Sequence, residues 1–243
     1  MTNPDALLAA AERIAARLAG RGIHAVLIGA SALAAHRYVR HTEDIDLGVN
    51  VAICDLGSVA EGLREAGYDV SVREPDGQDP LGGVIDISGP FGLVQIVNFG
   101  ERFPAVIDSG HAEATLCVRL GAGLRVIPLP HLIALKLYAG GMKSKADIVE
   151  VLKRNPDADR GAIRALCRQY RLRGLEPLIR EADGDATAAR RAMQEWLDRR
   201  EADATAVKVR VLSGRGAPCR VRASWRRWRR AGGRSSGSMP QKL

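Results

Sequence analysis

The chain has 243 residues, 46% hydrophobic and 26% charged, which is enough to bury one sizeable core or two small ones. No apolar run reaches the roughly 18 residues of a membrane-spanning helix, and the N-terminus lacks signal-peptide features, so we expect a cytoplasmic protein with no membrane partner. The formal net charge is +8. The four cysteines show no Cys-x-x-Cys spacing, which argues against a zinc ribbon and a disulfide framework.

The first predicted element is a helix that ends near Gly20. Either Asn3 or Asp5 can cap its N-terminus, and one of its faces is apolar along its length. That face contains Leu7, Leu8, Ala11, Ile14, Ala15 and Leu18. We expect this face to pack on a sheet.

The segment from Val26 to Val49 carries the most informative pattern. A strand ends in Gly29-Ala30-Ser31, a helix follows, and a second strand contains Asp44 and Asp46. Successive side chains of a strand point to opposite faces, so the two carboxylates project from one face. They repel each other unless a cation lies between them, and hard oxygen ligands suit Mg²⁺ (or Mn²⁺), whose coordination is usually completed by substrate phosphates.

The start of the helix in this segment predicts a phosphate site. Gly29 allows a tight turn and a close approach of a ligand to the backbone. Ser31 lies where a helix N-terminus presents free N–H groups and the positive end of its dipole. An anion site facing a cation site is what a nucleoside triphosphate requires.

These residues resemble a known fold family. Gly29-Ala30-Ser31, the run from Arg40 to Asp46, and the later run from Leu135 to Asp147 are similar to the nucleotidyltransferase fold, in particular to the AbiE-type abortive-infection toxins and the related MenT-type toxins. The family pattern is a glycine-serine turn, an Arg-x-Thr-x-Asp-x-Asp run and a downstream lysine helix ending in aspartate. All three parts occur here, and the resemblance covers about residues 5–180.

The resemblance implies an α/β (α+β) nucleotidyltransferase fold, with a mixed β-sheet flanked by helices and a helical C-terminal half. It implies transfer of a nucleoside monophosphate from an NTP to an acceptor, which is the 3′ end of tRNA in some members. A toxin role and a cognate antitoxin follow by the same analogy.

A helix is predicted over residues 55–66 and a strand over 68–72. A hairpin follows, with strands at 84–87 and 93–97 around a Gly89-Pro90-Phe91-Gly92 turn. The family commonly places a third carboxylate beside the Asp-x-Asp strand. Asp86 is the hairpin's candidate for a third metal ligand, but the family position falls on the second hairpin strand, where this chain has Gln95. The sequence leaves both alternatives open.

The residues from Pro130 to Tyr138 predict a helix that contains Lys136 among apolar residues. This lysine either extends to the surface or faces an anion in a cleft. In the resembling toxins a lysine here contacts the triphosphate. Asp147, which matches the later aspartate, either orients a lysine such as Lys136 or makes a helix N-terminal interaction.

Residues 148–200 predict further helices. We therefore divide the chain into a nucleotidyltransferase core (1–128), a helical C-terminal region (129–203) and a basic tail (204–243). The tail holds eleven Lys or Arg and no Asp or Glu, so the rest of the chain is slightly acidic. Its arginines and two tryptophans suit RNA binding, but its abrupt change of composition slightly favours a tail without function.

We expect a Mg²⁺-dependent nucleotidyltransferase. The predicted catalytic residues are Asp44, Asp46 and Lys136; the nucleotide-binding residues are Gly29, Ser31, Arg40, Lys136 and Asp147; and the metal ligands are Asp44 and Asp46, with Asp86 as the candidate third ligand. Two alternatives stay open. The first is a catalytically degenerate nucleotide-binding protein, favoured by Gln95 and by Ser144, where family members often carry Asp. The second is an RNA-binding module that uses the tail.

Overall fold

The computed structural model of the chain describes residues 3–75, 81–100, 103, 105–119, 121, 123–184, 191, 194 and 195. Residues 1–191 form one compact unit, to which nearly all of these residues belong. The basic tail predicted at residues 204–243 lies outside the described residues. None of the described helices is both long enough and apolar enough to cross a membrane.

A six-stranded sheet is the centre of this unit. Its strands are β1 (Val26–Leu27), β2 (Asp44–Val49), β3 (Asp69–Arg73), β4 (Val84–Gly89), β5 (Gly92–Asn98) and β6 (Arg125–Val126). They lie in the order β3-β4-β5-β2-β1-β6. β2 is parallel to β5 and antiparallel to β1, β1 is parallel to β6, and β4 is antiparallel to both β3 and β5. The sheet is therefore mixed, and the strand with the two aspartates is central.

Helices cover this sheet and extend beyond it. They are α1 (Pro4–Ala19), α2 (Gly29–Ala35), α3 (Leu56–Arg64), α4 (Ala105–Glu113), α5 (Leu129–Ala139), α6 (Gly141–Arg154) and α7 (Arg160–Gln169), with a short 3₁₀ turn at Ile53–Asp55 and a further helical stretch at 175–184. α1 packs on β2 and β5, and α4 packs on β1 and β2. α2 contacts both β2 and α5, so it connects the sheet to the later helices.

The apolar face of α1 forms part of the main core. Five of the six predicted residues of that face are buried, and Leu8 is only partly buried. The Asn3 side chain accepts a hydrogen bond from the Asp5 N–H at 3.0 Å, so Asn3 is the N-cap. The helix therefore begins and ends where the sequence predicts.

The α/β fold class is confirmed by this architecture. The predicted hairpin is also confirmed, because β4 and β5 pair up to Gly89 opposite Gly92. The sequence did not predict α4 or β6. β6 has two residues and is a strand only because it pairs with β1, and the adjacent apolar residues Val106 and Ile107 in α4 give no helical periodicity.

Asn98 joins the end of β5 to the chain that leaves β2. Its side chain is fully buried. Its Oδ1 accepts hydrogen bonds from the N–H groups of Val51 and Gly100, both at 3.0 Å, and its Nδ2 donates to the carbonyls of Val51 at 2.9 Å and Gly82 at 3.1 Å. One amide thus satisfies four buried backbone groups.

We predict that Asn98→Ala lowers the free energy of unfolding by about 3 kcal/mol, because buried donors and acceptors lose their partners without gaining water. Urea denaturation measures this change. Ser88→Ala, at an exposed position of the neighbouring strand, is the control and should cost under about 0.5 kcal/mol. Equal losses in the two variants would contradict the prediction.

Candidate active site

Asp44 and Asp46 lie on the same face of β2, as the strand period predicts. Both are partly buried, whereas Ile45 and Leu47 on the other face are buried in the core. The Thr42 hydroxyl donates a hydrogen bond to Oδ1 of Asp44. The core packing of one face of β2 therefore holds both carboxylates on the opposite face.

Gly29 allows the Asp46 carboxylate to approach the start of α2. This glycine is the first residue of the helix and has φ +66°, and a Cβ built on it would lie 1.8 Å from Asp46 Oδ2. The Ile28 N–H donates a hydrogen bond to the Asp46 carbonyl at 3.0 Å, which holds the end of β1 against β2 at this point. The first N–H groups of a helix have no acceptor within the helix, and the Asp46 carboxylate lies against Gly29, where this helix begins.

A buried carboxylate, Asp147 of α6, holds two cations. Lys136 Nζ lies 2.7 Å from Asp147 Oδ2, and Arg40 Nε lies 3.4 Å from Oδ1. The Lys136 and Asp147 side chains are only 11% and 5% exposed. Lys136 therefore does not extend to the surface, and Asp147 orients it.

The carboxylates and cations shift one another's protonation. Burial, and then the charge of Asp44, raises the pKa of Asp46 to about 6, although Lys136, Arg40 and Lys143 oppose this rise. Burial also lowers the pKa of Lys136, although its hydrogen bond to Asp147 and the charge of Asp147 oppose this shift. Asp46 is thus a buried anion that a bound cation would stabilise.

Arg40 lies at this site with its side chain 24% exposed. Its Nε makes no hydrogen bond within the described part of the chain, but it lies 3.4 Å from Asp147 Oδ1 and is ion-paired with that carboxylate. A guanidinium carries five N–H donors in a fixed fork, and phosphate oxygens are acceptors that match them. A partly exposed arginine held by Asp147 fits the predicted phosphate site.

The structure places Gln95, not Asp86, next to Asp46. In the sheet register Gln95 of β5 is opposite both Asp46 and Asp86, so Asp86 is one strand further out. Asp86 accepts hydrogen bonds from Arg73 Nε at 2.8 Å, Arg73 Nη2 at 2.9 Å and Gln95 Nε2 at 2.6 Å. Burial raises the pKa of Asp86, but these hydrogen bonds and the Arg73 charge outweigh it and lower the pKa.

The sequence analysis assigned no role to two residues that orient the acidic side chains of the site. Thr42 orients Asp44, and Arg73 binds Asp86 across two strands. Thr42 could have been found, because it precedes Asp44 by two residues. No local signal identifies Arg73, since strand pairing alone brings it to Asp86.

A cleft of about 490 Å³ opens beside Ser31, Thr42 and Asp44. Its remaining walls are mostly apolar side chains of α1, α2 and the strands, a composition and size typical of small-molecule sites. Among the described residues, the cleft reaches Ser31 and Asp44, whereas Asp46, Arg40 and Lys136 do not line it.

The donor set at Asp44 and Asp46 suits a hard divalent cation. Two adjacent carboxylates, one with a raised pKa, supply oxygen ligands of the type that Mg²⁺ prefers. Within the described ranges, no three His, Cys, Asp or Glu side chains cluster as a metal-binding group. A Mg²⁺ held here would need further ligands from substrate phosphates and water.

No protein-family model matches the chain, and no protein of curated function does. Among solved structures, the chain is similar to an antigenic nucleotidyltransferase-like protein from Paracoccidioides brasiliensis, at 16% identity over 70% of this chain and 88% of that one, with a TM-score of 0.46. It is also similar to the antibiotic-resistance factor ANT(2'')-Ia, at 19% identity over 82% of this chain and 100% of that one, with a TM-score of 0.41.

A tRNA nucleotidyltransferase, solved with a primer tRNA and an incoming ATP analog, is a further match. Its identity is 16% over 64% of this chain and 49% of that one, with a TM-score of 0.33. Identities and TM-scores this low give neither the family of this chain nor the role of any residue.

We predict that Gly29→Ala weakens Mn²⁺ binding by at least about 10-fold, because the new Cβ displaces the Asp46 carboxylate. Gly22→Ala is the matched control, since Gly22 also has positive φ (+75°) but has nothing within 4 Å of the position that a Cβ would take. Isothermal titration with Mn²⁺ measures the affinity. Equal binding by the two variants would refute a special role for Gly29.

We also predict a pH-dependent gain of stability in Asp46→Asn. The folded pKa of Asp46, about 6, lies above the ordinary value of 3.8, so the contribution of this carboxyl to stability falls as pH rises from about 4 to about 6. In metal-free buffer, Asp46→Asn should exceed the parent in stability by about 1–2 kcal/mol at pH 7 and by less at pH 4. Urea denaturation at both pH values tests this, with the exposed Asp69→Asn as control.

Proposed function

We propose that this chain is a Mg²⁺-dependent nucleotidyltransferase, which transfers a nucleoside monophosphate from an NTP to an acceptor hydroxyl. The observation that carries the proposal is that Asp46 lies beside Asp44, contacts the start of α2 at Gly29, and interacts electrostatically with Arg40 and Lys136. A metal site beside a helix N-terminus and two cations suits a triphosphate and few other ligands.

In the proposed reaction, Ser31 and the first N–H groups of α2 bind the outer phosphate oxygens. Arg40 and Lys136 neutralise the charge that grows on the leaving pyrophosphate. The acceptor oxygen forms a bond to the α-phosphorus while the bond to the bridging oxygen breaks, and the hydroxyl proton passes to water. A Mg²⁺ bound by Asp44 and Asp46 would supply charge neutralisation at the α-phosphate.

Asp147 has a positioning role in this proposal. It is buried behind the two cations and paired with both, so it sets where their charges lie. The sequence predicts a nucleotide-binding residue at this position. The contacts of Asp147 favour an indirect contribution, in which it holds Lys136 and Arg40 in place for the phosphates.

Our proposals for the acceptor and for the biological role rest on the resemblance of the sequence motifs. The AbiE-type and MenT-type pattern favours the 3′ end of tRNA as acceptor, a toxin role and a cognate antitoxin. The alternative of a degenerate nucleotide-binding protein is favoured by one observation, the neutral Gln95 beside Asp46. The cytoplasmic location stays a prediction from the sequence.

The test is transfer of label from each α-³²P-NTP, with Mg²⁺ and total tRNA, to RNA or to protein. We expect label transfer by the parent and loss of at least about 100-fold in Asp46→Asn, which keeps the side-chain shape but removes the charge. Asp69→Asn, on an exposed edge strand, is the matched control and should transfer as the parent does. NTP binding without transfer would overturn the enzyme proposal in favour of the degenerate alternative.

A further inference from the structure

We propose that the amide oxygen of Gln95 is a third, neutral oxygen ligand of the metal site, and that Asp86 and Arg73 are positioning residues that aim it there. The inference rests on the proposed metal site at Asp44 and Asp46. It concerns the position where Gln95 stands in place of the expected carboxylate.

The sheet register places the relevant side chains in one row. Asp46 on β2, Gln95 on β5 and Asp86 on β4 are direct partners across three adjacent strands. Residues paired in this way point to the same face, and neighbouring strands are about 4.8 Å apart. Gln95 therefore stands between the two carboxylates, within side-chain reach of each.

The contact with Asp86 determines which way the Gln95 amide is turned. Gln95 Nε2 lies 2.6 Å from Asp86 Oδ1, within hydrogen-bond distance. An ionised carboxylate only accepts hydrogen bonds, so the atom facing it is the amide nitrogen and not the oxygen. The amide oxygen is the other branch of the same planar group, and on the side of Gln95 away from Asp86 the next residue of the row is Asp46.

Arg73 makes this orientation rigid. Its guanidinium binds both oxygens of Asp86, at 2.8 and 2.9 Å, in the bidentate geometry that gives the strongest carboxylate pairs. The pairing neutralises Asp86 and fixes its rotation. Asp86 is then held as an acceptor for Gln95 and is not available as a metal ligand itself.

A neutral third ligand has a chemical consequence. Two carboxylates and one amide oxygen give the metal one negative charge fewer than three carboxylates would. The cation therefore binds weakly to the protein alone, and the phosphates of the NTP complete its coordination. Gln95→Glu should restore the missing charge.

The experiment measures Mn²⁺ binding to the full chain without nucleotide, by electron paramagnetic resonance. Gln95→Met keeps the side-chain length without the oxygen, and we expect about 10-fold weaker binding. Gln95→Glu should bind Mn²⁺ more tightly than the parent. Ser71→Ala is the control, because Ser71 is the next residue of the same row beyond Asp86, two strands away from Gln95, and it should bind as the parent does.

A double-mutant comparison tests the role of Asp86. Asp86→Asn should weaken Mn²⁺ binding in the parent but have no further effect in Gln95→Met, because it acts only through the amide. Additive losses would overturn the positioning role. Parent-like binding in Gln95→Met, with loss in Asp46→Asn, would overturn this inference alone. No Mn²⁺ binding by the parent would overturn it together with the proposed metal site.

Discussion

The close approach of the Asp46 carboxylate to the Cα of Gly29 is the constraint on which the site depends. It requires a residue without a side chain at the start of α2, in a backbone conformation that favours glycine. It also requires β1 and β2 to pair antiparallel, so that the end of one strand meets the start of the other. The proposed metal-binding carboxylate and the proposed phosphate-binding start of α2 are thereby brought into direct contact.

Charge balance accounts for the rest of the arrangement. Asp46 is partly buried beside Asp44, which is unfavourable by itself, and its raised pKa expresses that cost. Lys136 and Arg40 offset it from the helical side, but they are also largely buried and need an anion. Asp147 supplies that anion from α6. The site is therefore a set of buried and partly buried charges, in which each charge is stabilised by a neighbour of opposite sign.

In the outer part of the sheet, an ion pair and a neutral amide lie next to the carboxylates. Arg73 and Asp86 form a bidentate pair between β3 and β4, and Gln95 donates a hydrogen bond to Asp86 while it is the strand partner of Asp46. A neutral amide between two acidic residues avoids the repulsion that three neighbouring carboxylates would suffer without a metal.

Local sequence determined much of this protein. Four features are properties of short segments: the period of two in the Asp-x-Asp strand, the glycine at the start of a helix, the hairpin turn and the apolar face of α1. The structure has each of them where the sequence predicts it. Tertiary structure decided the rest: that Asp147 holds both Lys136 and Arg40, that Gln95 and not Asp86 adjoins Asp46, and that Arg73 binds Asp86. These relations join residues far apart in the chain. They arise from the order of the strands and the packing of the helices. Both are set by burial of the core as a whole, so no periodic pattern within a single segment of the sequence reveals them.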